Sequence, residues 1–220
     1  MQISVTKQFQ TDYDNLWKHA PVNNITKLGY GVIDHLKTND LLFIGLNPAY
    51  NKKSPSPGNC IGNIDTNPKT CYSYFKPFYG ISKGCGFGGD YSFLDILAIR
   101  HTKQADVRKL VSTDTAFKAF CQKQFVVFKE ILCTAQPRVI VVCNAYARQW
   151  MTDIVLNSHA FKLYDFDEKI GTYRIKSPDS RINKVPVFFS GMFCGQHALD
   201  KGSLERLEWH IRTMKNNRLI

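Results

Sequence analysis

Five places in this chain carry side chains that could do chemistry, and four of them lie within or just after an apolar run. Asn47 closes the stretch Leu41-Leu42-Phe43-Ile44-Gly45-Leu46-Asn47-Pro48-Ala49-Tyr50. Its neutral amide can donate and accept hydrogen bonds, which suits holding a water or a polar ring. Asn47-Pro48 can equally be a plain turn. Asp95 stands inside Ser92-Phe93-Leu94-Asp95-Ile96-Leu97-Ala98-Ile99. A carboxylate there is costly unless it is hydrogen-bonded, caps a strand end or lines a pocket. Arg100 and His101 come next, and Arg100 could pair with phosphate or with an acid. Asn144 follows Val139-Ile140-Val141-Val142-Cys143, and Ser190-Gly191-Met192 follows Val185-Pro186-Val187-Phe188-Phe189. A fifth feature is Tyr72-Ser73-Tyr74-Phe75-Lys76-Pro77-Phe78-Tyr79-Gly80, whose rings and lysine could stack bases and meet phosphate. The same rings could instead roof a core.

These groups need a scaffold, and the apolar runs supply it. Four short runs ended by turn residues read as strands buried on both faces. Helical spacing is clearest over Thr115 to Thr134, where Phe117, Phe120, Cys121, Phe125, Phe128, Ile131 and Leu132 recur at three- and four-residue intervals. Shorter helices are expected at Asp12 to His19, at Lys27 to Leu36 and from Tyr146 to about Leu156. A last helix should run to about Asn216, capped by Ser203 and anchored by Leu204, Leu207, Trp209 and Ile211. Phe161 to Ile175 reads as a hairpin or two extended pieces, and Asn51 to Asp90 as a long loop of functional length. Gly84-Cys85-Gly86-Phe87-Gly88-Gly89 fits no phosphate-loop pattern and reads as a flexible turn. Strand, helix, strand in this order implies a mainly parallel sheet in an α/β domain, with ligands outside its carboxyl edge.

The chain has 220 residues, 44% of them hydrophobic, which fits one folded domain over 1–220. No run is long enough to span a bilayer, and the N-terminus lacks a signal-peptide pattern, so a cytoplasmic protein without a membrane partner is expected. Seven irregularly spaced cysteines suit reduced thiols. Cys60, Cys71 and Cys85 lie in loop-like sequence where a metal is conceivable, but their spacing fits no zinc or iron-sulfur pattern. No metal, cluster or other cofactor is expected. A formal net charge of +11 favours a polyanionic partner such as nucleic acid.

Taken together, the motifs resemble the uracil-DNA glycosylase superfamily. Gly45-Leu46-Asn47-Pro48 resembles the G-I/M-N-P-G motif of its mismatch-specific and single-strand-selective branches. Pro77-Phe78-Tyr79-Gly80 resembles the P-F-x-G of its thermophilic branch, whose phenylalanine stacks on the flipped base. Asp95 to Arg100 occupies the slot of that branch's N-x-x-x-x-R, and Glu130-Ile131 through Pro137-Arg138-Val139-Ile140-Val141 is similar to its E-I-x-x-x-x-P-K-V-I-V. The resemblance implies a three-layer α/β/α sandwich around a central four-stranded, mainly parallel sheet. It implies a flipped nucleotide, with Asn47 positioning the water that attacks the sugar carbon. It places base contacts at Gly45, Leu46, Pro48, Phe78, Asp95, Asn144, Ser190 and Gly191. Lys52, Lys53, Lys76, Arg100 and Lys201 are the expected contacts to DNA phosphate, and a monomer is expected.

Three departures stand out. Ala49 stands where the motif has glycine. Asp95 stands where an asparagine reads uracil; an ionised carboxylate repels O4, so Asp95 either shifts preference toward a base with an exocyclic amine or is protonated. The closing H-P-S motif is absent, with Phe189-Ser190-Gly191-Met192 in its place. Its histidine stabilises charge on the departing base. His197 is close enough in sequence to substitute, or is a surface or capping histidine. His19, His35, His159 and His210 show no partner pattern. The leading expectation is a monofunctional DNA glycosylase for a damaged or mispaired base. The alternative is a degenerate member that binds nucleic acid or nucleobase without excision. A third class is a small-molecule enzyme acting on a nucleotide or nucleoside.

Overall fold

The computed structural model describes residues 1–50, 56–152, 164–195 and 198–220. The chain opens with strand β1 (Gln2–Ser4) and helix α1 (Val5–Lys18), which starts earlier than the sequence predicts. Ser4 is the reason: its hydroxyl accepts from the Lys7 N–H at 3.1 Å and caps the helix. No helix forms over Lys27 to Leu36. A single tight turn at Thr26–Leu28 ends at Gly29, whose φ of 78° stops helical propagation. The chain continues as β2 (Gly31–Ile33) and β3 (His35–Lys37).

The apolar run forms β4 (Leu41–Gly45), buried along its whole length. From residue 56 on, the long segment after it is more ordered than its composition implies. It contains β5 (Cys60–Gly62) and helix α2 (Lys76–Gly84), which has proline in its first turn, where the missing N–H has no cost. β6 spans only Ser92–Asp95, so Asp95 is the last residue of a strand and not the middle of one. The chain beyond still tracks the exit of β4: Ile96 N–H donates to Gly45 O at 3.1 Å and Leu97 N–H to Leu46 O at 2.8 Å.

Helix α3 (Gln104–Thr113) leads into α4 (Thr115–Ala135), which is capped by Asp114 and closed at Gln136 in the left-handed region. β7 (Val139–Val142), α5 (Ala145–Thr152), β8 (Tyr164–Asp167), β9 (Thr172–Ile175), β10 (Pro186–Phe189) and α6 (Lys201–Asn216) complete the chain. Asp200, not Ser203, caps α6, accepting from Ser203 N–H at 2.9 Å. Ile211 anchors that helix, whereas Trp209 is 58% exposed.

The central sheet has six strands in the order β6-β4-β7-β10-β9-β8, not the four expected. The four foreseen strands form its parallel part. The Phe161 to Ile175 region, described from Tyr164 onward, supplies an antiparallel hairpin that joins the edge of β10 and makes the sheet mixed. Alternation along the strands sends Leu42, Ile44, Ile140 and Val142 into one apolar cluster and Leu41, Phe43, Val139 and Val141 into another. Residues of α1, α3, α4 and α5 complete the first cluster, and residues of α2 and α6 the second, so helices cover both faces. Each fully buried Leu, Ile or Phe contributes roughly 1.5–3 kcal/mol. The fold is α/β.

Among the described residues no helix is long and apolar enough to cross a membrane. Among them no group of three or more His, Cys, Asp or Glu side chains is placed to hold a metal ion. All seven cysteines are free.

Candidate functional site

The four parallel strands follow the chain order β4, β6, β7, β10 but lie side by side as β6-β4-β7-β10. The chain therefore leaves β4 toward one side and returns on the other. Such a reversal opens a crevice outside the carboxyl ends of the two strands that flank it. A cavity of about 580 Å³ occurs there. Its floor includes Gly45 to Ala49, Asp95 and Asn144, and its walls include Tyr74, Phe75 and Phe93.

Asn47 is held in one orientation. Its Nδ2 lies 2.7 Å from His101 O, 3.0 Å from Ile99 O and 3.1 Å from Pro48 O. Three carbonyls around one terminal atom require that atom to be the nitrogen, since an oxygen would find no donor. Oδ1 points the other way, is buried and has no hydrogen-bond partner among the described residues. Such an acceptor costs roughly 1–3 kcal/mol unless a donor reaches it. The strand exits lock this arrangement, because His101 N–H donates to Pro48 O at 2.9 Å.

Asp95 is opposite Gly45 in the β4–β6 register. Asp95 lines the cavity, and among the described residues its carboxyl group makes no hydrogen bond or ion pair. Burial alone pushes its pKa up to about 8. The glycine is required: a Cβ on residue 45 would lie 2.4 Å from Asp95 Oδ1 and 2.6 Å from the Phe93 ring.

The aromatic run divides between core and cavity. Phe78 is 1% exposed, contacts the rings of Phe43 at 4.9 Å and Phe193 at 5.4 Å, and does not line the cavity. The stacking role expected for Phe78 is thus not open to it. Its place in α2, with Ile81 one turn on, turns it into the core. Tyr74 and Phe75, just before that helix, reach the cavity instead, with ring centroids 5.1 Å apart. Tyr72 stands at the mouth, 59% exposed. The proline in the first turn of α2 was the sequence signal for this division.

The other foreseen residues separate as well. Leu46 and Pro48 line the cavity. Asn144 does too, but its Oδ1 accepts from Tyr146 and Ala147 N–H, capping α5, and its Nδ2 donates to Gln104 at 3.0 Å. Ser190 and Gly191 lie outside the lining, which Met192 reaches from that loop. Arg100 is 3% exposed and donates to the carbonyls of Leu28, Ser56 and Gly58, so it builds a wall instead of presenting a cation to phosphate. Lys76 is exposed beside Phe75, and Lys201 is exposed and pairs with Glu205 at 3.6 Å. Lys52, Lys53 and His197 lie outside the described residues, as does His159. His19, His35 and His210 do not line the cavity. His101 does, and its Nε2 lies 3.0 Å from Asp106 at the rim.

No protein-family model matches the chain. A search of curated proteins also finds no match.

Proposed function

We propose that the protein is a DNA glycosylase-like hydrolase that takes a damaged or mispaired base, uracil or a related one, into the switch-point cavity and cleaves its N-glycosidic bond. The observation that carries this reading is the fixed Asn47, with its amide nitrogen tied to three carbonyls and a buried Oδ1 that has no hydrogen-bond partner among the described residues. A water donating to Oδ1 would satisfy it and be oriented for attack. In that step the water oxygen bonds the anomeric carbon. The carbon–nitrogen bond breaks, its electron pair leaves with the base, and the water's proton passes to solvent or base. Asn47 contributes position more than proton transfer, because an amide is a poor base. Tyr74 and Phe75 offer faces for stacking, worth roughly 1–3 kcal/mol per base. The net charge of +11 favours a polyanionic substrate.

A second reading, a protein of this type that binds a base or nucleic acid without excision, is favoured by one observation. The Asn47 amide has a structural use of its own, clamping the 47–48 and 99–101 segments together. Base excision separates the two. Single- and double-stranded oligonucleotides carrying uracil, hypoxanthine, xanthine or mismatches are incubated with the protein and treated with alkali. Strand cleavage at one of these bases is the expected result. Absence of cleavage on every substrate, with DNA binding retained, selects the binding protein.

A further inference from the structure

We infer that Asp95 meets its ligand as a carboxylic acid, donating a hydrogen bond to a ring carbonyl and accepting one from the adjacent ring N–H. The ligand class is then a lactam-type base, one with a carbonyl beside an N–H. This inference rests on the base-pocket reading above and adds the chemistry of recognition to it.

The geometry carries it. Asp95 ends β6, where its backbone is fixed by the register with Gly45. Its Oδ1 lies so close to the bare α-carbon of Gly45 that a Cβ there would come within 2.4 Å of it. The cavity is the open side. An ionised carboxylate so placed needs donors or a cation, since unpaired burial of charge is among the costliest arrangements in a fold. Among the described residues no cation reaches it and none donates a hydrogen bond to it, the neutral groups around it included. Tyr13 from α1, Tyr74 from before α2 and Cys143 at the end of β7 face it, and burial raises the pKa of all three, so they are neutral. Arg100 directs its guanidinium to the Leu28, Ser56 and Gly58 carbonyls and lies against the Tyr50 ring at 4.9 Å. His101 pairs with Asp106. Cys60 and Tyr72 complete the titratable groups of the described lining. Burial accordingly favours the protonated form up to about pH 8. An acid has one donor and one acceptor on neighbouring oxygens, which matches the carbonyl and N–H edge of a lactam. Asparagine has the same pattern, so Asp95 in acid form and an asparagine would read the same edge.

The test compares uracil affinity of the native protein and Asp95→Asn by calorimetry from pH 6 to pH 10. Ligand ionisation is common to both proteins and cancels in the ratio. Only the acid form of the native protein binds, so its affinity relative to Asp95→Asn is expected to fall about tenfold per pH unit above roughly 8. A constant ratio, with uracil bound by both, overturns the inference and leaves the base-pocket reading standing. Binding by neither protein overturns both. A ligand-free readout is the carboxyl carbon resonance of Asp95. A midpoint near 8 agrees with the inference, and one near the ordinary carboxylate value of about 4 contradicts it.

Discussion

Gly45 and Asp95 are opposed across the β4–β6 pair so closely that residue 45 has no space for a side chain: a Cβ there would lie 2.4 Å from Asp95 Oδ1. The glycine is what lets the carboxyl group turn to the cavity. Gly45→Ala should therefore displace Asp95 and the Phe93 ring together. The expected cost is about 1–3 kcal/mol in urea unfolding, with a loss of base affinity larger than the stability change alone would give. Unaltered affinity in a folded Gly45→Ala protein would show that the position of Asp95 is immaterial.

Asp95 also sets a pH dependence of stability. The folded protein holds this proton up to about pH 8, whereas the unfolded chain releases it near pH 4. Between those values the native state binds more protons than the unfolded one, so stability falls as pH rises. The contribution is at most about 1.4 kcal/mol per pH unit and is flat above the folded value. Asp95→Asn should remove the slope and be the more stable protein at pH 8. Unfolding free energies of the two at pH 5, 6.5 and 8 measure it, and parallel curves would count against it.

Asn47 should show two separable effects. Asn47→Ala leaves the Ile99 and His101 carbonyls without their donor, at about 1–3 kcal/mol. Asn47→Asp places carboxylate oxygens against the same carbonyls and should destabilise more. Thermal melts of the two variants give the order, and the reverse order would mean that the amide nitrogen is not what the carbonyls hold.

Phe78 and Phe75 should part company although only three positions separate them. Phe78→Ala opens the core between Phe43 and Phe193 and should cost about 3–5 kcal/mol of stability. Phe75→Ala removes a cavity wall and should weaken base binding by about 1–3 kcal/mol with a smaller effect on folding. Equal loss of binding in both, once stability is matched, would remove the distinction between wall and core.

How far the sequence could be read follows from which signals were local. Buried runs such as Leu41 to Gly45 and Val139 to Val142, and the apolar stripe of α4, announce themselves through composition and period. Asn47, Asp95 and Asn144 fall on one cavity because all stand at the carboxyl ends of neighbouring parallel strands. The pieces that misled are those fixed by distant partners. Gly31 to Ile33 is a strand because β5 pairs with it, and the hairpin at Tyr164 to Ile175 joins the sheet because β10 offers an edge. The surroundings of Arg100 depend on loop carbonyls as far away in sequence as Leu28, which no local pattern records. The P-F-x-G pattern points Phe78 to the base, but the helix that starts two residues before it turns the ring into the core.

Release of free base from an oligonucleotide by the native protein and by Asn47→Ala, with folding of both confirmed by melting, tests the central claim most directly. The account predicts release of one lactam-type base by the native protein and a rate at least about a hundredfold lower for Asn47→Ala, as expected when the nucleophile loses its holder. Release at equal rates by both proteins, or by neither on any substrate, would contradict it.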